Sequence, residues 1–358
     1  MKRWARLPLG LAVAGGLLWL LFRRTDWAEV GEAIRGMQAG WFALSQLLLW
    51  GTHFCRVERW SYVVRAVHPA SFRQLQSATQ IGFLVNFSAP ARLGELVRAL
   101  LLTRLAGPPI SRSLAMVALD RMTDLIGLLA VLLVAALALT RDRDVAFAPG
   151  TFGNAEPLVV SSALLRPAGL ALAGLVLALL AGLVALYVWR EPMVRAVRAV
   201  FAPLSARLAR RAASLLEGFA EGMHIFRSGW DLARALLWSL VTWVVDLTAL
   251  AAILAAFGVD FPWHAPFLVL ALIAAAIAIP VAPGVVGQYH LPAVAGLLMA
   301  VPELSPDRAK AVAIVGHLST LAPIAGLGLW CLWRERLGLS DVLRRARAED
   351  GASAGVSG

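Results

Sequence analysis

Six stretches of the chain stay apolar for nearly the length of a membrane crossing: 7–22, 41–66, 113–139, 163–189, 232–256 and 309–333. A bilayer's hydrocarbon core takes about 20 apolar helical residues to cross. No water is available there to bond free backbone groups, so each stretch is predicted to be a helix. The first is short, and its flanking arginines are long enough to snorkel to the interface. Arg23-Arg24 follow it directly with no A-x-A cleavage site, so it reads as an uncleaved span. The second carries Arg56, Glu58 and Arg59 in its later turns, which leaves its end open. Two further apolar stretches, 74–105 and 265–301, are interrupted by Pro-Gly turns. They are too polar or too broken to span and too apolar to be loops. Each is predicted to enter and leave the membrane by the same side as a re-entrant helical hairpin.

Composition agrees with this pattern: 59% of the 358 residues are hydrophobic and only 15% charged, where a soluble domain carries about 25% charged residues. The net charge of +11 comes mainly from arginine, which in such a chain marks cytoplasmic loops rather than nucleic-acid binding. The segment 190–234 holds eight arginines against four acids, and 56–73 holds four against one. By contrast, 141–157 has two arginines and three acids, and 257–266 has no lysine or arginine. Six crossings with both termini cytoplasmic satisfy these biases, and a bacterial-type inner membrane is the expected location. Hairpin 74–105 then dips in from the cytoplasm and 265–301 from the opposite face. Cys55 and Cys331 lie in or beside apolar helices and are expected to be free thiols. The six histidines show no metal-ligand spacing and no GxxxxGK[ST] loop occurs, so neither a metal nor a cofactor is expected.

The two interrupted stretches resemble each other. APARLGEL (Ala89–Leu96) and APGVVGQY (Ala282–Tyr289) share Ala-Pro, three residues, then Gly followed by Glu or Gln, at an offset of 193. The same offset carries 41–66 and 113–139 close to 232–256 and 309–333. The chain therefore divides into a first repeat, 1–139, and a second, 163–333, with an amphipathic insertion at 190–231 and a tail at 334–358. With three crossings in each, the second is inverted relative to the first. Inverted repeats with paired broken segments point to a transporter site near the midplane. After each turn, marked by Pro90 and Gly94 in one and by Pro283, Gly284 and Gly287 in the other, a half-helix begins. Its free N–H groups and positive dipole end suit an anion. The alternative is that both hairpins only fill the bundle.

Asn86, Pro90-x-Arg92-x-Gly94-Glu95 with Arg98, and Asp120-Arg121 with Asp124 in the next span resemble the flippase-like proteins, whose membrane region is also found in lysylphosphatidylglycerol synthases. CRVERW at 55–60 and Pro280-x-x-Pro283-Gly284-x-x-Gly287 carry the resemblance further, over nearly the whole chain. Two departures stand out. The glutamate usual after the second glycine turn is absent from Gly287-Gln288-Tyr289-His290, and His317 stands where a basic residue is common. The soluble aminoacyl-transferase domain of the bifunctional synthases has no counterpart after Arg334, so synthase activity is not implied.

Arg92, Glu95 and Arg98 are three apart and share a helical face, as do Asp120 and Asp124. Charges at midplane depth cost at least ~2.5–3.5 kcal/mol each unless paired, so all must face the interior. Arg92, Arg98 and Arg121 are expected to bind a lipid phosphate, with Asn86, Glu95 and Asp124 completing the site. Glu95, Asp124 and His317, the last at the repeat position of Asp124, are candidates for a coupled proton. A purely structural arginine–carboxylate network remains the alternative, as does packing for His317. Asp246, inside the fifth span, is expected to be interior and paired. The segment 193–227 reads as an interfacial amphipathic helix pair on the anionic leaflet.

An all-α polytopic protein of about six spans and two re-entrant hairpins is thus expected. Its anticipated work is moving an anionic, phosphate-bearing or glycosylated lipid between leaflets. A non-transporting partner of a lipid-modifying enzyme and a membrane-embedded lipid phosphate enzyme are the other two classes. The enzyme is disfavoured because no activated nucleophile or catalytic signature is visible.

Overall fold

A computed structural model describes residues 6–88, 93–139, 144–149, 151–152, 154, 156–203, 205–206, 209–210, 213, 229–278 and 283–342. Pro90, Arg92 and Pro280 lie outside the described residues, as does most of 204–228.

The chain begins with α1 (Arg6–Phe22), a short α2 (Trp27–Arg35) and the long α3 (Ala39–Arg65). Next come α4 (Phe72–Ser88), α5 (Leu93–Ala106) and α6 (Ile110–Ala138). A small antiparallel ribbon follows, Val145–Phe147 (β1) with Leu158–Val160 (β2), in the register Val145 to Val160. The ribbon departs from an all-helical expectation. Its β-branched residues suit a pleated surface, and it sits in what reads from sequence as a polar loop. Then come α7 (Ser162–Val188), α8 (Arg190–Phe201), α9 (Gly229–Ala256) and α10 (Ala265–Ile277). A 3-10 turn at Pro283–Val285 leads to α11 (His290–Ala300) and α12 (Pro306–Arg334).

Among the described residues, four helices are long and apolar enough to cross a membrane: Ile110–Ala138, Ser162–Gly182, Gly229–Ala256 and Pro306–Arg334. The protein is a multi-pass, mostly helical membrane protein. The remaining two expected spans are helices of different character. α1 has 17 residues, and α3 has 27 but carries charge through its second half.

Local chemistry sets the helix starts. Asp26 caps α2, its Oδ1 accepting from the Ala28 amide at 2.9 Å. Ser305 caps α12 ahead of Pro306, with Asp307 in the first turn. At α7, Ser161 is the cap and Asp144 of the preceding segment accepts from the Ser162 amide at 2.7 Å.

Burial divides into two hydrophobic cores, one around each broken segment. The first gathers Val57, Trp60, Leu75, Ile81, Val97, Leu102 and Met116 from α3 to α6. The second gathers Leu250, Leu254, Leu268, Val294, Leu297 and Val312 from α9 to α12. The long helices α3 and α9 pack along each other and join the two. Cys55 and Cys331 are both free and buried.

Within the first broken segment, Gly82 and Gly94 let α4 and α5 meet backbone to backbone. A Cβ on Gly94 would lie 2.0 Å from the Gly82 carbonyl oxygen. Gly94 is thus the second residue of α5 rather than part of the turn, and its value there is its size. Gly284 and Gly287 do serve the second turn by conformation, at φ of +66° and +81°.

Candidate functional site

The charged residues of α3, α5 and α6 converge on a buried cluster. Arg59 and Arg56 are one helical turn apart on α3 and face the same way. The Arg59 Nε donates to Asp120 Oδ1 at 2.9 Å, and its Nη1 donates to Asp124 Oδ1. The other oxygen of Asp120 accepts from Arg98 Nη1 at 2.6 Å. Arg98 lies flat over the Trp60 ring, 3.7 Å from its centroid, and the Trp60 indole donates to the Met116 carbonyl. Arg59 and Asp120 are wholly buried and Arg98 nearly so.

A second, looser tier adjoins this one. Arg121 Nε is 3.3 Å from Glu95 Oε1 without hydrogen-bond geometry, and its Nη1 is 3.8 Å from Asp124 Oδ2. Asn86 ties the segment's two arms together. Its Oδ1 accepts from the Gly94 amide at 2.8 Å and its Nδ2 reaches Glu95 Oε1 at 3.5 Å. On α3, Arg56 Nη2 donates to Asp246 Oδ2 of α9 at 2.6 Å. His53 meets Gln80 at 2.7 Å.

His53, Arg56, Asn86, Glu95, Arg121 and Asp246 line a cavity of about 290 Å³. The first broken segment contributes Phe83, Asn86, Phe87 and Glu95 to its wall, and the second contributes Ile277 and Val285. Its charged lining is Arg56, Glu95, Arg121 and Asp246. The rest is largely apolar, with Thr320, Pro323 and Ile324 of α12 closing one side. The tips of the two segments come close here, since a Cβ on Gly284 would lie 4.0 Å from the Phe87 carbonyl oxygen.

Of the residues picked out in the sequence, Asn86, Glu95 and Arg121 line the cavity. Asp124 stands behind Arg121, and Arg98 faces away from the cavity into its pairing with Asp120. His317 does not join them. Its Nε2 donates to the Gly284 carbonyl at 3.0 Å, its ring stacks on Tyr289 at 4.7 Å, and His290 meets it edge-on at 4.8 Å. It secures the second turn. Asp246 is interior and paired, as expected.

Sequence reasoning undervalued Arg59 and Arg56, which read as charges blurring the end of a span. The available signal was their spacing. An arginine every third residue within an apolar helix puts the charge on one stripe, and such a stripe needs acids opposite it.

The chain is 25% identical over 276 residues to the protein named glycosyltransferase AglD of Haloferax volcanii, covering 72% of this chain and 44% of that protein. It thus spans less than half of that relative's length. No solved structure matches it. The region from residue 8 to 328 matches the lysylphosphatidylglycerol synthase TM region, and the chain belongs to that family.

Proposed function

We propose that this protein moves a phosphate-bearing or glycosylated lipid between leaflets, taking the headgroup into the cavity between the two broken segments while the tails stay in the bilayer. The observation that carries this reading is the state of Arg121. It lines the cavity, yet its Nε stands 3.3 Å from Glu95 without hydrogen-bond geometry and its Nη1 is 3.8 Å from Asp124. Arg59 and Arg98, by contrast, are committed to aspartates in full burial. A guanidinium held near a cavity but not saturated suits bidentate capture of a phosphate. Family membership, and a relative whose name is a glycosyltransferase, support a membrane protein of lipid or glycolipid metabolism.

The inverted repeat belongs to the same proposal. Shifting the bounds of α3, α4 and α6 by 193 gives 232–258, 265–281 and 303–331, against Gly229–Ala256, Ala265–Ile277 and Pro306–Arg334 for α9, α10 and α12. Three crossings in each half, α1, α3 and α6 then α7, α9 and α12, make α4–α5 and α10–α11 re-entrant from opposite faces. Alternating access then comes from rocking one core against the other about the α3–α9 contact. Both termini are cytoplasmic in an inner membrane, with α8 on its surface.

Native mass spectrometry of gently extracted protein tests the reading, with wild type beside Arg121→Ala and an Arg92→Ala, Glu95→Gln double variant. One lipid class retained by wild type and lost by the folded variants is the expected outcome. The same bulk lipids on every form would remove the headgroup site. The second reading would then hold, in which the chain is a membrane partner of a lipid-modifying enzyme. It draws on the relative's name and on the chain matching under half of that protein.

A further inference from the structure

We infer that Arg56 and Asp246 form a second, exchangeable pole of the cavity, where an incoming phosphate takes Arg56 from Asp246 and the released carboxylate takes up a proton. The inference rests on the headgroup reading of the cavity and adds to it both a binding residue and a coupling site.

Three observations carry it. First, both residues line the cavity, with side chains that are partly open at 21% and 13%, unlike the sealed Arg59 and Arg98. Second, the pair joins α3 to α9, so its making and breaking is read directly at the contact between the two cores. Third, among the described residues the charges on the cavity wall balance, Arg56 and Arg121 against Glu95 and Asp246. An anion that takes Arg56 therefore leaves Asp246 uncompensated in a largely apolar chamber. An unpaired carboxylate there is costly. The two acids differ in what remains to hold them. Glu95 still has Asn86 Nδ2 at 3.5 Å. Asp246 has Arg56 as its only ion-pair partner among the described residues, and beside it only the neutral hydroxyl of Thr52.

Among the described residues, the other charged groups near Asp246 are Arg59 on α3 and Asp124 on α6. The titratable His53 of α3 lines the same cavity beside Arg56, its Nδ1 engaged by Gln80 at 2.7 Å. Arg59 is already bound to Asp120 and Asp124, and Asp124 repels a second free carboxylate. Cys55 on α3 also lies within its field. From α10 and α12 the cavity wall offers Ile277, Thr320, Pro323 and Ile324, none of them charged. Once Arg56 turns to a phosphate, protonation is the remaining way for Asp246 to lose its charge. The proton comes from bulk solution, relayed by the water that enters with the headgroup, so no hydroxide is left in the chamber. The step is a joint uptake in which one phosphate and one proton are bound together.

The experiment uses purified full-length protein in a weakly buffered neutral detergent with a pH indicator. Short-chain phosphatidylglycerol and short-chain phosphatidic acid serve as probes. Wild type is expected to bind a probe with uptake of close to one proton. Arg56→Gln should weaken binding roughly 10- to 100-fold, the worth of a charge-assisted hydrogen bond. Asp246→Asn should bind at least as tightly as wild type with no proton uptake. The Arg56→Gln, Asp246→Asn double variant leaves a neutral pair able to hydrogen-bond. It guards against misfolding of either single variant, and should bind weakly without uptake. Binding abolished by Arg121→Ala but unchanged in Arg56→Gln, or uptake that persists in Asp246→Asn, overturns this inference and leaves the headgroup site standing. If wild type binds neither probe, both fall.

Discussion

Removing the charge of Asp120 tests whether the buried cluster holds the first core together. Each oxygen of this carboxylate serves a different arginine, Oδ1 taking Arg59 Nε at 2.9 Å and Oδ2 taking Arg98 Nη1 at 2.6 Å. In Asp120→Asn one oxygen becomes an NH2 group that faces a guanidinium donor. The two cations do not suffer equally. Arg59 keeps Asp124, but among the described residues Arg98 has no other ion-pair partner, and its Nε and Nη2 already lack hydrogen-bond acceptors there. What remains for Arg98 is its stacking on Trp60, worth ~2 kcal/mol when desolvated. Breaking a buried pair by deleting one partner costs about 3–5 kcal/mol because the other charge is stranded. Asp124→Asn should cost less, because the Asp124 side chain retains 14% exposure and Arg59 keeps Asp120. The assay is equilibrium unfolding in mixed micelles. It compares wild type, both asparagine variants and an Asp120→Asn, Arg98→Met double variant that removes the stranded cation. The double variant should recover more than half of the Asp120→Asn loss. An Asp120→Asn protein within about 1 kcal/mol of wild type, or no recovery on removing Arg98, would refute the reasoning.

Gly94→Ala should destabilise the protein by at least ~1–3 kcal/mol through overpacking, since the new Cβ would stand 2.0 Å from the Gly82 carbonyl oxygen. The same change at Gly174 in α7, where nothing lies within 4 Å, should cost nothing and stabilise by up to ~1 kcal/mol in the same unfolding assay. Lysine at two arginine positions should separate binding from structure. Arg121→Lys keeps stability and loses lipid in native mass spectrometry, whereas Arg98→Lys loses stability. Identical behaviour of the two would erase that distinction. Outside the membrane, hydrogen bonds from Ser162 hold the Asp144 carboxyl below its ordinary value. Its contribution is full above the unfolded carboxylate pKa near ~3.9 and fades as pH falls through the lowered folded value. The Tm difference between wild type and Asp144→Asn should therefore be flat at neutral pH and close only in strong acid.

Helix positions were legible because each depends on a local pattern. The apolar stretches 113–139 and 309–333 differ from Ile110–Ala138 and Pro306–Arg334 by three residues at the start and one at the end. At the second turn Gly284 and Gly287 take the positive φ that a glycine turn requires, but Gly94 shows the limit of such a reading. A glycine after a proline reads as a turn residue, whereas here the neighbour that demands it is Gly82, twelve positions earlier. The site was legible in part. Spacing shows that Glu95 and Arg98 lie one turn apart on α5, but not that one looks into a cavity while the other looks into an aspartate. That division depends on how α5 is rotated against α3 and α6, which no single helix specifies. Arg56 and Asp246 meet across 190 residues, and neither carries any local sign of the other.

The cluster's energetics explain why sealed and open pairs occur together. Arg59, Arg98, Asp120 and Asp124 would each cost at least ~2.5–3.5 kcal/mol in hydrocarbon. Unpaired, they would consume most of the 5–15 kcal/mol by which a protein is typically stable. Their mutual pairing offsets that cost only when geometry is close and water is excluded, which is what full burial of Arg59 and Asp120 provides. A pair so arranged cannot also be a binding site, since taking its arginine strands a buried acid. Arg121 and Arg56 escape this constraint by lying at the cavity edge, where water can reach them and their carboxylate partners. The sealed pairs fix α3, α5 and α6 in register, and that fixed frame holds the two open cations at the mouth of one chamber. On the headgroup proposal Asp120 serves stability and Arg121 ligand affinity, although they are neighbours in sequence. A single variant series across 120 and 121 should therefore show the two properties moving independently.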